Sequence, residues 1–172
     1  MLGLYSGLDR VGDYLAPLGL RLVLAYEFWE SGVMKFMANG AFGPAPGWFA
    51  ALDYPFPFNV LPDALNWIIA MWAELIGAVL LLLGLATRPA ALVLIILDLV
   101  AWVSVHAGHG YNVSDNGWKL PLLFLVMLLP LLLKGGGKLS LDYPISTRMN
   151  RFWNRRPRHA PSPAGPAANR LE

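Results

Sequence analysis

The chain has 172 residues, of which 56% are hydrophobic and only 14% charged, and its mean hydropathy is +0.50. A water-soluble domain of this length carries closer to a quarter charged residues, so the composition points to a protein dissolved in lipid. It contains no cysteine, which excludes disulfide frameworks, thiol catalysis and thiolate metal or iron–sulfur sites. The formal charge of +2 conceals an asymmetry, because eight of the thirteen Lys and Arg residues lie from Lys134 onward.

Residues 1–14 carry Asp9, Arg10 and Asp13 and read as a polar lead-in. A bilayer core of about 30 Å needs roughly 17–25 mostly apolar residues per helix, and four stretches of that order follow. The first, about Leu15 to Phe36, contains Arg21, Glu27, Glu30 and Lys35 and is the least apolar. Residues 37–61 are rich in Gly, Pro and aromatics, with no Lys or Arg, and suit a loop lying at the membrane interface.

The second span, about Pro62 to Leu85, has Glu74 as its one interior charge, and the third, about Pro89 to His106, has Asp98. The tight connection Ala86-Thr87-Arg88 makes these two helices antiparallel neighbours. A polar loop over 107–117 leads to a fourth span, about Trp118 to Leu133, with Pro121 in its first turn and Pro130 expected to distort its end. Residues 146–172 read as a basic, flexible tail in which RFWNRRPRH is drawn to anionic lipid rather than to nucleic acid.

Arg10, Arg88 and the C-terminal cluster fall on one side, and the 37–61 and 107–117 loops carry no cation. The expected fold is therefore an all-α integral membrane four-helix bundle over 15–145, with both ends in the cytoplasm, in a bacterial inner membrane.

An ionisable side chain near the bilayer centre costs at least about 2.5–3.5 kcal/mol, so each must be paired, neutralised or exposed to a polar cavity. Glu27, Glu74 and Asp98 lie near the middles of the first three spans and are expected to meet in one layer, with Arg21 bonding one of them from below. One cation cannot neutralise three carboxylates, so proton handling by these acids is the expected chemistry. Glu27, Ser31 and Lys35 recur at i, i+4, i+8, and Asp98, Trp102, His106 and His109 at i, i+4, i+8, i+11, giving two polar stripes that rise toward Lys119.

Three further readings compete. A buried ion network that only fixes helix packing would leave these residues without chemistry. His106 and His109 form a weak two-histidine metal motif. Met34, Met37 and Met71 add soft sulfur, which is more often ordinary packing material.

The elements RLVLAYEFWESGVMKF, AELIGAVLLLLGLATRPAALVL, a His closing the third span, and GGGKLSLD after the fourth resemble the DoxX/DoxD family of small four-helix membrane proteins. Its first-helix Arg, Gly and Lys correspond to Arg21, Gly32 and Lys35, and its second-helix pattern to Glu74, Gly77, Gly84, Thr87 and Arg88. The resemblance implies an accessory, quinone-facing role in membrane redox work, as a subunit rather than an enzyme alone. Arg21, Lys35, His106 and Lys119 would then contact an anionic or quinone oxygen, and a redox partner subunit would supply the electron carrier. A homo-oligomer is a further expected assembly. Trp118-Lys119 stands where many members carry an acid, and a branch with this fourth helix resembles proteins of metal stress and peptide maturation. A non-enzymatic scaffold or assembly partner is the alternative.

Overall fold

The computed structural model describes residues 2–154, with side chains described for 11–148. Among the described residues the chain is all-α, with no strand. Helix α1 spans Leu2–Asn39, the single turn α2 spans Gly47–Ala50, α3 spans Asp63–Leu83 and α4 spans Thr87–Ala101. A π-helical turn, Trp102–His106, prolongs α4; α5 then spans Lys119–Lys134 and α6 spans Asp142–Asn154. Two segments, Asp63–Leu83 and Thr87–His106, are long and apolar enough to cross a membrane.

The four long helices close a ring in which α1 packs on α3 and α5, and α4 packs on α3 and α5. Their inward positions supply one core: Leu24 and Phe28 from α1, Ala78 and Leu81 from α3, Ala91 and Leu94 from α4, Leu128 and Leu131 from α5. The outward positions are apolar as well, since Leu22, Val23, Ile76, Val79, Val93, Ile96 and Val126 are all exposed. Helices apolar on every side belong in an apolar solvent. Close approach depends on small residues: a Cβ on Gly32 would lie 2.8 Å from Leu75 Cγ, and one on Gly77 2.9 Å from Leu94 Cδ2.

The turn between α3 and α4 combines a local glycine cap with charged side chains brought from elsewhere in the chain. Helix α3 ends at Gly84, whose φ of +63° lets the Leu85 amide reach back to the Leu80 carbonyl at 3.0 Å. The terminal carbonyls of α3 are taken by Arg21 of α1, whose Nε donates to Leu81 O at 2.7 Å and whose Nη2 donates to Leu82 O at 2.9 Å. Its Nη1 donates to Gly136 O at 3.0 Å and Leu139 O at 3.1 Å, pinning the loop after α5. The start of α4 is met from the same loop region, because the Asp142 carboxylate accepts the Ala86 and Thr87 amides at 2.7 and 2.8 Å. Gly84 sits between these partners; a Cβ there would lie 2.6 Å from Arg21 Cζ and 2.5 Å from Ser140 Cβ.

Three sequence expectations need adjustment. Residues 2–14 are not a separate lead-in but the first turns of α1, which runs through Pro17 without ending. Helix α5 likewise continues past Pro130 to Lys134, closing with the Gly135 amide on Leu131 O at 2.9 Å. The tail begins as α6, and residues 155–172, with the greater part of its basic cluster, lie outside the described residues.

Arg21→Gln should destabilise the protein by at least about 3 kcal/mol, since it removes charge-assisted bonds worth about 1.5–3 kcal/mol each and strands buried carbonyls. Arg21→Lys should recover little of this, because an ammonium cannot reproduce the planar fork. Equilibrium unfolding in detergent, followed by circular dichroism, measures both.

Candidate functional site

The best-formed polar site lies between α1 and α3. Ser31 and Lys35 are one turn apart on α1 and face Glu74 at the middle of α3. Lys35 Nζ lies 2.8 and 2.7 Å from the two Glu74 oxygens and donates to Ser31 Oγ at 2.8 Å, and Ser31 Oγ donates to Glu74 Oε1 at 3.1 Å. The carboxylate is almost wholly buried and the lysine largely so, with side chains 9% and 19% exposed. Such a triad holds a charge pair within an apolar helix contact and offers a hydroxyl as a proton path. On the outer face of the same two helices, Trp29, Trp72, Leu75, Ile76, Val79 and Leu80 line an open apolar groove of about 300 Å³ to which no residue of the triad contributes.

The other predicted acids do not join this site. Glu27 is half-buried and makes no hydrogen bond or ion pair with a described residue. Asp98 is 5% exposed, and its Oδ2 has no hydrogen-bond partner among the described residues. No hydrogen bond or ion pair links Glu27, Glu74 and Asp98 among the described residues. The expectation that Arg21 bonds one of them is wrong: its donors go to four carbonyls at a helix end and a loop, which carry partial negative charge and lie within its reach.

A second group forms where α4 ends. The π turn widens the helix over Trp102–His106, so the α-helical spacing assumed for Asp98, Trp102, His106 and His109 does not persist to His109. Trp102 instead stacks on Trp118, with centroids 5.4 Å apart and planes at 7°, and Tyr111 meets Trp118 edge-on at 4.8 Å. Lys119 Nζ sits 5.7 Å from the Tyr111 ring centre. His106 Nδ1 lies 2.7 Å from Asn116 O; as the donor to that carbonyl, Nδ1 carries the proton and leaves Nε2 as an acceptor.

His109 is exposed, and among the described residues no three His, Asp or Glu side chains are grouped to hold a metal ion. Met71 is fully buried in packing, whereas Met34 and Met37 are exposed.

Sequence reasoning missed the aromatic stack and the role of Asn116, although the density of Trp and Tyr in 102–118 was a usable signal. It also missed how the 37–61 loop is held. Trp72 Nε1 donates to Ala41 O at 3.2 Å, and Phe49, Tyr54 and Trp67 form a small core of their own. The Tyr54 hydroxyl donates to Phe49 O at 2.8 Å, and burial pushes its phenol above the usual tyrosine range.

Lys35→Met should cost about 3–5 kcal/mol, because it leaves the Glu74 carboxylate buried without its charge partner. The double variant Lys35→Met, Glu74→Met should recover most of that loss, since an apolar pair needs no compensation. A double-mutant cycle read by thermal unfolding in detergent gives the coupling; additive losses would show that the pair is not coupled.

The DoxX family profile matches residues 16–107, from just before Pro17 in α1 to just past the π turn. A protein of Haemophilus influenzae, described as uncharacterized, is 51% identical over 137 residues, covering 78% of this chain and 86% of the relative. A second uncharacterized protein of the same organism is 31% identical over 143 residues, covering 80% of this chain and 95% of the relative. No solved structure matches. The matched segment holds Arg21, Lys35, Glu74, Gly84 and Thr87, the residues that build the helix clamp and the buried ion pair, and the chain belongs to the DoxX family.

Proposed function

We propose that the chain is a four-helix integral membrane protein of the bacterial inner membrane, with both ends cytoplasmic, and that it serves as an accessory, quinone-facing subunit of a membrane redox system. The observation that carries this reading is the buried Lys35–Ser31–Glu74 triad. A lysine, a hydroxyl and a carboxylate in mutual contact can hold a polar head group and exchange a proton with it, and the open apolar groove at Trp29 and Trp72, on the same two helices, suits an apolar ring or tail. Asp98 and His106 remain as further proton-handling groups by their position on α4 and its π turn, whereas Arg21 is committed to the fold. With no cysteine in the chain, electrons would come from the quinone and a partner subunit.

A second reading is favoured by one observation: Arg21, Lys35 and Glu74 all satisfy their hydrogen bonds internally. On that reading the polar residues lock the helices and the protein is a scaffold or assembly partner.

The orientation is supported by the placement of Arg88 and Lys134 at one end of the ring and by the cation-free loops at the other. Because the chain lacks cysteine, single substitutions give unique labels. Asn59→Cys should react with a membrane-impermeant maleimide in spheroplasts and Leu139→Cys only in inverted vesicles; the reverse pattern overturns the orientation.

For the quinone-facing role, a short-chain quinone should quench the tryptophan fluorescence of the purified protein with saturation. Glu74→Gln should weaken that binding by about tenfold, the loss expected for one charge-assisted contact, without altering helical content. Quenching that never saturates, or a Glu74→Gln titration that matches wild type, excludes this role and leaves the scaffold.

A further inference from the structure

At the end of the ring opposite the long loops, the N-terminal half of α1, the start of α4, the end of α5 and the chain from Gly135 to Ser146 enclose a cavity of about 1010 Å³. That is at the upper end of the range for small-molecule sites, about 300–1,000 Å³. Three cations from three separate elements line it: Arg88 in the first turn of α4, Lys134 at the last residue of α5, and Lys138 in the glycine-rich connection.

Two acids line it too, and both are engaged. Asp142 accepts the Ala86 and Thr87 amides, and Asp13 pairs with Lys138 at 2.9 Å. The hydrogen bond to Asp13 raises the Lys138 ammonium above the ordinary lysine range, and the pair lies in the open at the lip. Arg88 uses one nitrogen on Leu133 O at 3.1 Å, and Lys134 makes no hydrogen bond or ion pair with a described residue. The cavity therefore keeps two cations that no carboxylate of a described residue pairs with. Its floor is apolar, formed by Leu20, Pro89, Pro130, Leu131 and Ile145.

We infer that this cavity binds the phosphate of an anionic phospholipid from the cytoplasmic leaflet, with Arg88 and Lys134 holding the phosphate oxygens and the apolar floor taking the glycerol and the first acyl carbons. The depth fits, because α3, α4 and α5 all have ends here, so the cavity lies where head groups begin. Basic pockets between helices on the cytoplasmic face are a recurrent form of lipid recognition, and guanidinium with ammonium is the donor set a phosphodiester takes. A free phosphate ion would share the cations but make no use of the floor. The cytoplasmic placement rests on the orientation proposed above, whereas binding is read on purified protein, so the two fail independently.

The test is native mass spectrometry and thermal unfolding of the detergent-purified protein with phosphatidylglycerol, phosphatidylcholine or inorganic phosphate. Phosphatidylglycerol should be retained and should raise the unfolding temperature, and phosphatidylcholine and phosphate should do neither. Lys134→Gln and Arg88→Gln should each weaken retention by about fivefold, in line with the contribution of one cation near a charged lipid surface. Arg148→Gln, an exposed change on α6 at a residue that does not line the cavity, should leave retention unchanged.

Equal retention of the two lipids overturns the proposal, as does equal loss in all three variants, which would mean diffuse attraction. Stabilisation by inorganic phosphate alone would reassign the cavity to a free anion. Arg88 also bonds α5, so Lys134→Gln, which breaks no internal contact, decides the matter if Arg88→Gln misfolds.

Discussion

A guanidinium enclosed by four main-chain carbonyls holds the molecule together. Arg21 is 2% exposed, yet no carboxylate of a described residue pairs with it; its hydrogen-bond partners are the partial negative end of α3 and two carbonyls of the connection after α5. Asp142 answers from the other side by offering negative charge to the opening amides of α4. The α3–α4 turn, capped locally by Gly84, is thus also clamped between a cation at a helix C-terminus and an anion at a helix N-terminus, the pairing that helix dipoles favour. In an apolar medium this matters more than in water, because no solvent replaces a lost partner.

With helix ends secured in this way, the ring can be nearly featureless elsewhere. Its core is leucine, alanine and phenylalanine, and its outer faces are apolar, so hydrophobic exclusion does little to fix the rotation of one helix against another. That specificity falls to the polar contacts and to the glycines. Gly32 admits Leu75 and Gly77 admits Leu94 at distances no larger residue would allow, while Lys35–Glu74 sets the register of α1 on α3. The two polar groups differ in kind: the α1–α3 triad is closed on itself, whereas Asp98 keeps an oxygen without a described donor and His106 keeps Nε2 without a described partner.

Much of the helical layout was legible from apolar runs and their punctuation. Pro62 before α3, Gly84 after it and the short Ala86-Thr87-Arg88 connection placed α3, and α4 together with its π turn, within two residues of where they lie. Helical spacing also placed Ser31 and Lys35 together on one face. The partner of Arg21 was not legible, because carbonyl acceptors leave no mark in a sequence, and acids at matching depth drew attention instead. The π turn was hidden for a related reason: it adds a residue to one turn without changing composition, so a stripe extrapolated at 3.6 residues per turn drifts off the face beyond Trp102. Asp142 looked like part of a loop because its capping target lies more than fifty positions earlier.

Helix α1 has 38 residues and so measures about 57 Å, nearly twice the thickness of a bilayer core. Its Asp13 end is tied to Lys138, its middle to the end of α3 through Arg21, and its far turns to Glu74 through Ser31 and Lys35. In mechanical terms it is a single shaft with three bearings. Pro17, where the helix lacks one internal hydrogen bond, lies between the first bearing and the second. A displacement applied beyond that point has a compliant joint to bend before it reaches the Arg21 clamp, while one applied between Arg21 and Lys35 passes along uninterrupted helix to the buried ion pair.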